Sequence, residues 1–477
     1  MAAGALKSKL GFVAAMAMVI GGVIGSGIFV KPALMASELG SPVYLLLTWL
    51  IAGIITLCGA LTIAEASSMF PETGGQYIYF QKMYGGLFAF IYGWSAFSVI
   101  NTAGVASISF VMAQYMQYFI TFPKFDPETE SLLRLSIPGI GAIYPLQNIG
   151  VKVVTILIIV FCSWLNYRTV KGSGRVQVIF TSLKLVAIFV LIAGSFFSGK
   201  GNLHNLVELP LSSAPTGSAL FPAFMASILA AFWAYDGWIA VTFIGGELKR
   251  PEKNLPRSLI AGLMVVIIIY LLINMAYLYI LPVGQMAGSS LVAADTARAF
   301  MGWAGGGFIA IMVIISTFAA TNMNVLSNCR VTYAMAENRM MFPKVASVHP
   351  RFNTPHVAIW FHCVWTCLLV LSGSFDMLTD MLVFISWLFY ALTGVGVVKL
   401  RYTMRDYPRP YRAWGYPIIP AIFIIFSACF LIVTVYNDVT AYINGRSELI
   451  NSFFGLLIVV AGFPLYWYFN RRKNLDG

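Results

Sequence analysis

Two short stretches of an otherwise apolar chain would leave backbone groups without helical partners. One is Gly21-Gly22-Val23-Ile24-Gly25-Ser26-Gly27, and the other is Phe232-Trp233-Ala234-Tyr235-Asp236-Gly237-Trp238. Glycine weakens a helix by about 1 kcal/mol relative to alanine. An aspartate at membrane depth costs roughly 2.5–3.5 kcal/mol, and it is tolerated where the backbone unwinds and faces a cavity. Unwinding the first stretch frees the N–H groups of Ser26 and Gly27 at a helix start, where the partial positive charge of the helix end adds to them. They suit a carboxylate. Unpaired carbonyls near Val23 and near Trp233 suit an ammonium. Such a site fits the backbone of an α-amino acid without any charged side chain. The candidate binding residues are Val23, Ile24, Gly25, Ser26, Gly27, Trp233, Ala234, Tyr235 and Asp236.

Several of these have plainer readings. Gly21 and Gly25 fit a small-xxx-small helix-packing face. Trp233 is either a lid or a packed aromatic, and Tyr235 either bonds near the site or is structural. Asp236 is placed to cap the helix that follows through a backbone N–H. The other reading has it face the pocket and attract a cationic side chain. The cap is the favoured expectation.

The elements that must hold these stretches are membrane spans. The chain has 477 residues, of which 59% are hydrophobic and 10% charged, against about 25% charged in soluble proteins. Runs of about 20 apolar residues cross a bilayer. Twelve are read here as segments 1–12. Segments 1–6 cover 11–38, 42–70, 84–119, 147–167, 176–198 and 220–246. Segments 7–12 cover 256–282, 298–336, 355–373, 378–398, 416–436 and 450–469. Lys7 and Lys9 before the first run mimic a signal peptide, but without a small-residue cleavage site the run is expected to be the first span. The two breaks fall in segments 1 and 6, five apart. Interruptions at matching positions of two halves point to inverted repeats with a site at the membrane midplane. The expected fold is all-α, with 11–198 and 220–400 as the repeats and 416–469 outside them.

The net charge of +12 does not imply nucleic acid. With a cytoplasmic N-terminus, 22 of the 30 Lys and Arg fall on the cytoplasmic side, densest at Arg168/Lys171/Arg175, Lys249/Arg250/Lys253/Arg257, Lys399/Arg401/Arg405/Arg409/Arg412 and Arg471/Arg472/Lys473. Seven, Lys31 among them, fall opposite, and Lys184 lies inside segment 5. This positive-inside bias expects both termini in the cytoplasm of a cell-membrane protein, with the basic ends on anionic lipid. Cys58, Cys162, Cys329, Cys363, Cys367 and Cys429 read as buried hydrophobes. No Cys or His spacing resembles a metal site, so no metal or cofactor is expected. Lys184, Asp236 and Glu65 are spread over three segments, which argues against a membrane-embedded enzyme.

The motifs also resemble a family. Val23-Ile24-Gly25-Ser26-Gly27-Ile28-Phe29 looks like the first-helix signature of the amino acid–polyamine–organocation superfamily, and Phe70-Pro71-Glu72-Thr73-Gly74-Gly75-Gln76-Tyr77 its loop after helix 2. Trp233-Ala234-Tyr235-Asp236-Gly237-Trp238, Gly246-Glu247-Leu248-Lys249-Arg250-Pro251, Asn254-Leu255-Pro256, Arg409-Pro410-Tyr411 and Tyr416-Pro417 resemble the L-amino acid transporter branch. The resemblance spans nearly the whole chain. It implies a LeuT-like 5+5 repeat of twelve helices, with the same backbone clamp. It further implies sodium-independent transport of neutral L-amino acids by exchange. Trp233 is bulkier than the phenylalanine of members that take large side chains, so alanine, serine, cysteine and threonine are expected. The alternatives are a proton-coupled symporter and an exchanger of large neutral or cationic amino acids or polyamines. Residues 120–146 hold no cysteine, so no disulfide-linked heavy chain is expected, and Ile239 stands where the branch often has a polar residue.

Lys184 is about the ninth residue of segment 5, roughly 12–13 Å from its start at 1.5 Å per residue. One reading has it snorkel to the interface. The other, which the resemblance also implies, has its ammonium lie against carbonyls of segment 1 and the hydroxyls of Ser316 and Thr317 in segment 8, where sodium-coupled relatives hold a cation.

Overall fold

The computed structural model describes residues 11–72, 74–168, 173–352 and 354–475, and only the backbone of 173–181, 244, 246, 247 and 473–475. Lys7, Lys9, Thr73 and Lys171 lie outside the described residues, as do the side chains of Arg175, Glu247 and Lys473. In lipid every backbone polar group must be satisfied within the protein, which selects helices. Among the described residues nine helices are long and apolar enough to cross a membrane, or ten if the bent pair in segment 1 is one span. Two shorter apolar helices, Ser182–Phe197 and His356–Ser372, fall in segments 5 and 9. The chain is thus a multi-pass membrane protein, and the strands among its described residues form one antiparallel hairpin, Leu135–Ile137 with Gly141–Ile143.

Both interruptions are present. Segment 1 is two helices, Phe12–Val23 and Gly27–Leu39, meeting at 44°. In segment 6 the helix Leu220–Tyr235 ends at an extended Asp236, and a 3₁₀-helix, Trp238–Glu247, follows. Gly237 between them has φ +93°, which a side chain would oppose. The two breaks face one another without intervening side chains. A Cβ on Gly237 would lie 2.8 Å from the Gly22 carbonyl oxygen, and one on Gly27 would lie 2.6 Å from Ala234 Cα.

Segment 3 carries a third irregularity, a π-helical turn over Ala96–Asn101, a feature often found at functional sites. Side chains take the carbonyls it disturbs: Thr102 donates to Phe97 O (2.8 Å) and Trp365 to Ser98 O (2.8 Å). Asn328 donates to Asn101 O at 3.4 Å. In segment 8 the helix Val292–Glu337 bends at Gly302 (φ +73°).

A buried ion cluster fixes segment 10, the helix Phe375–Thr403, to segment 2, the helix Pro42–Met69. Glu65 is fully buried and accepts from Arg401 Nε (2.9 Å) and from the Ala413 amide (2.8 Å). Arg409 closes the cluster at 3.3 Å. Burying a carboxylate is tolerable only with such partners.

The glycine contact between the breaks is directly testable. Gly27→Ala places a methyl into the Ala234 backbone, an overpacking of about 1–3 kcal/mol. Melting of the purified protein is expected to fall by several degrees and transport at least tenfold. Gly104→Ala is expected to do neither, because its Cβ meets only Leu382 Cδ1 at 3.4 Å. Equal behaviour of the two variants, read by thermal denaturation and uptake, contradicts the close approach.

Candidate substrate site

The site begins with what the break in segment 1 leaves open. The N–H groups of Ser26 and Gly27 have no hydrogen-bond partner among the described residues, since the first backbone bond of the new helix is Phe29 N–H to Ser26 O (3.1 Å). Ser26 is buried, Gly25 half-buried and Gly22 exposed, so the break is accessible beside its donors.

The carbonyl ends are a correction to the sequence-based expectation. They are not unpaired. Val23 O and Ala234 O both lie against one hydroxyl, that of Tyr270, at 2.9 and 2.8 Å. Trp233 O accepts from the Asp236 amide at 3.3 Å. Each carbonyl has two lone pairs, so these contacts narrow its capacity for an ammonium without removing it.

Lys184 is buried, and its ammonium donates to Gly21 O (2.7 Å) and to Ile24 O. It therefore sits on the last carbonyls before the break, where helix-end negative charge favours a cation. The Thr317 hydroxyl is spent within its own helix, on Val313 O and Ile314 O. Ser316 is buried in the same helix. The bonds of Lys184 run to segment 1 and not to these hydroxyls.

Asp236 differs from the favoured expectation. The helix starting at Trp238 has no side-chain cap. The Asp236 carboxylate accepts from the Tyr390 hydroxyl of segment 10 at 2.7 Å and also lies against the Gly237 amide of its own chain. The break in segment 6 is thus tied to another helix as well as to the next residue of its own chain. Tyr235 likewise turns to segment 2, donating to Trp49 O at 3.1 Å, within an aromatic cluster of Trp49, Tyr235 and Tyr270.

Trp233 packs edge-on against Phe375 with ring centroids 5.1 Å apart. Above both lies Lys31, one helical turn beyond Gly27. The sequence reading left it as an ordinary charge at a membrane surface. It is 1% exposed and donates to Asp376 Oδ1 (2.8 Å) and Thr379 Oγ1 (3.0 Å). Its ammonium is 4.7 Å from the Phe375 ring centroid and 5.7 Å from that of Trp233, a cation–π arrangement. This roof closes the site on one side. Tyr270, Tyr390, Lys31 and Asp376 were all missed from sequence. Only Tyr270 left a signal there: with Asn274 and Tyr277 it puts a polar face at i, i+4, i+7 on an apolar helix.

What this geometry offers is amides without a partner among the described residues, partly engaged carbonyls and a packed aromatic pair, Trp233 and Phe375, within a multi-pass bundle. The serine/threonine exchanger SteT of Bacillus subtilis is 32% identical over 471 residues, covering 98% of both chains. The mouse large neutral amino acids transporter small subunit 2 is 29% identical, covering 97% of this chain and 81% of its own. The human b(0,+)-type amino acid transporter 1 is 27% identical over 90% of this chain and 82% of its own. The family model described as amino acid permease matches residues 10–463, and this chain belongs to that family.

Proposed function

We propose that the chain carries neutral L-amino acids across the cell membrane by sodium-independent exchange, with small ones such as alanine, serine, cysteine and threonine preferred. One observation carries the reading: two broken segments meet backbone to backbone, with the free Ser26 and Gly27 amides beside the contact. The amides take the substrate carboxylate and the carbonyls of Val23 and Ala234 its ammonium. Trp233 limits side-chain size. The relatives support the class of substrate, since they are named as amino acid exchangers and transporters. The role is transport, not catalysis.

The finer architecture belongs to this reading. Among the described residues up to ten spans, with the bent pair as one, and two shorter apolar helices support a reading of twelve segments. Segments 1–5 and 6–10 are the inverted repeats, with both termini cytoplasmic. The roof of Lys31, Asp376, Trp233 and Phe375 is then the extracellular closure, and the exposed Gly22 faces the cytoplasmic path. The loop between segments 3 and 4 offers no cysteine, so the chain works without a disulfide-linked heavy chain. Lys184 holds segment 1 at its break, where a dissolved cation would otherwise be needed.

Two outcomes test this. In proteoliposomes alanine is expected to compete with labelled substrate at least tenfold better than alaninamide, which lacks the carboxylate. Equal competition removes the amide clamp. Replacing sodium by choline is expected to leave exchange unchanged. Lys184→Ala is expected to slow it at least tenfold and shift the cytoplasmic apparent affinity while the protein still reaches the membrane. Uptake that stops without sodium, or unaltered kinetics in Lys184→Ala, contradicts the role given to that ammonium.

A further inference from the structure

The connection from segment 8 into segment 9 holds two of the chain's four histidines, His349 and His356. Neither has a part in the site above. His349 opens a tight turn. Its ring Nδ1 accepts from the amides of Arg351 (3.1 Å) and Phe352 (3.3 Å). An asparagine side chain makes the same arrangement when it closes a turn of its own backbone. The backbone beyond the turn is pinned separately. Thr354 O accepts from the amides of His349 and His356, both at 2.8 Å. The buried Thr354 hydroxyl donates to Tyr167 O at the end of segment 4 (3.0 Å).

The rings gather at the same place. Phe352 stacks on His349 with centroids 4.7 Å apart, and Tyr167 meets these two rings at 5.5 and 5.3 Å. His349 and Phe352 thus clasp the end of segment 4. One residue back, Asn166 donates to Asn322 O (3.1 Å) and Oδ1 (2.9 Å) of segment 8. The clasp therefore lies where segments 4, 8 and 9 are joined.

A bond accepted by Nδ1 exists only while that nitrogen carries no proton. The neutral ring then bears its hydrogen on Nε2. A second proton turns Nδ1 into a donor aimed at two other donors, and both bonds are lost. Imidazole makes this change between about pH 5 and 8, and His349 is half-buried, within reach of water. The titratable and charged groups on the elements around it are Tyr167 and Arg168 of segment 4, His356 of segment 9, and Lys344 and Arg351 of its own connection. Among the described residues no ion pair offers the new charge a carboxylate. His356 stands 5.4 Å away, ring to ring, at the first residue of its helix, where positive charge is disfavoured.

We infer that His349 is a proton-operated switch in the connection between segments 8 and 9. Neutral, it holds the Arg351–Phe352 turn and the clasp on segment 4. Charged, it releases them. On the topology proposed above, the proton comes from the cytoplasm. The switch goes beyond the transport reading, and its test does not depend on transport.

Deuterium exchange of the full chain in lipid nanodiscs is measured at about pH 8 and about pH 5.5. His349→Asn is the reference, because its Oδ1 sits where Nδ1 does along the side chain and does not titrate. Compared at one pH, the intrinsic chemistry of exchange is common to both proteins and cancels. At the higher pH the Arg351 and Phe352 amides are expected to be equally protected in both. At the lower pH they are expected to exchange roughly fivefold faster, or more, in wild type. The His349 and His356 amides, bonded to Thr354 O, are expected to stay protected, so that release is local. His356→Gln is expected to respond as wild type does. If His349→Asn is not recovered, His349→Ala supplies the test, with the Arg351 and Phe352 amides expected to be open at both pH values. Equal exchange in wild type and His349→Asn at the lower pH overturns the inference. So does a response that disappears in His356→Gln, protection that survives in His349→Ala, or opening of all four amides together.

Discussion

Breaking a helix inside a membrane exposes amides and carbonyls that lipid cannot solvate, and nearly everything around this site answers that constraint. The segment 1 break is served on its carbonyl side by Lys184 and Tyr270. The segment 6 break is served by Tyr270 and, through Asp236, by Tyr390. What stays unserved among the described residues are the Ser26 and Gly27 amides, the donors to which the proposed function assigns the substrate carboxylate.

The same logic explains why the breaks must touch. Gly22, Gly27 and Gly237 let two backbones approach closer than any side chain allows. One hydroxyl can then reach both helix ends, and a substrate as small as alanine could do the same. Segment 10 frames the arrangement along its length. It meets segment 1 through Asp376 and Lys31, segment 6 through Tyr390 and Asp236, and segment 2 through Arg401 and Glu65. A helix held by polar ties to three others at three levels is well placed to move with them or to release them one at a time.

Much of this was legible in the sequence, for physical reasons. Apolar runs must be about as long as a bilayer is thick, so the segments declare themselves. The breaks declare themselves too, because glycine clusters and a mid-membrane aspartate make no sense in an intact lipid-facing helix. What answers the breaks was not legible. Lys31 pairs with Asp376 across 345 positions and Asp236 with Tyr390 across 154, and no local period encodes such pairings. Asp236 shows the consequence: beside Gly237 a backbone N–H is the best local reading, and helix packing added a tyrosine hydroxyl that no local pattern announces. The carbonyls near Val23 and Trp233 were read as free because their donors come from elsewhere in the fold or from a bend of the chain. The π-turn at Ala96–Asn101 gave no sign at all, since its residues are ordinary helix and strand formers.

The central claim is that the paired breaks, and no side-chain charge, hold the amino acid backbone. A cryo-electron microscopy map of the protein in lipid at saturating alanine tests it most directly. The account expects the carboxylate on the amides of Ser26 and Gly27, with the ammonium at the carbonyls of Val23 and Ala234 beneath Trp233. Alanine density against the ammonium of Lys31 or Lys184, or away from both breaks, would contradict it.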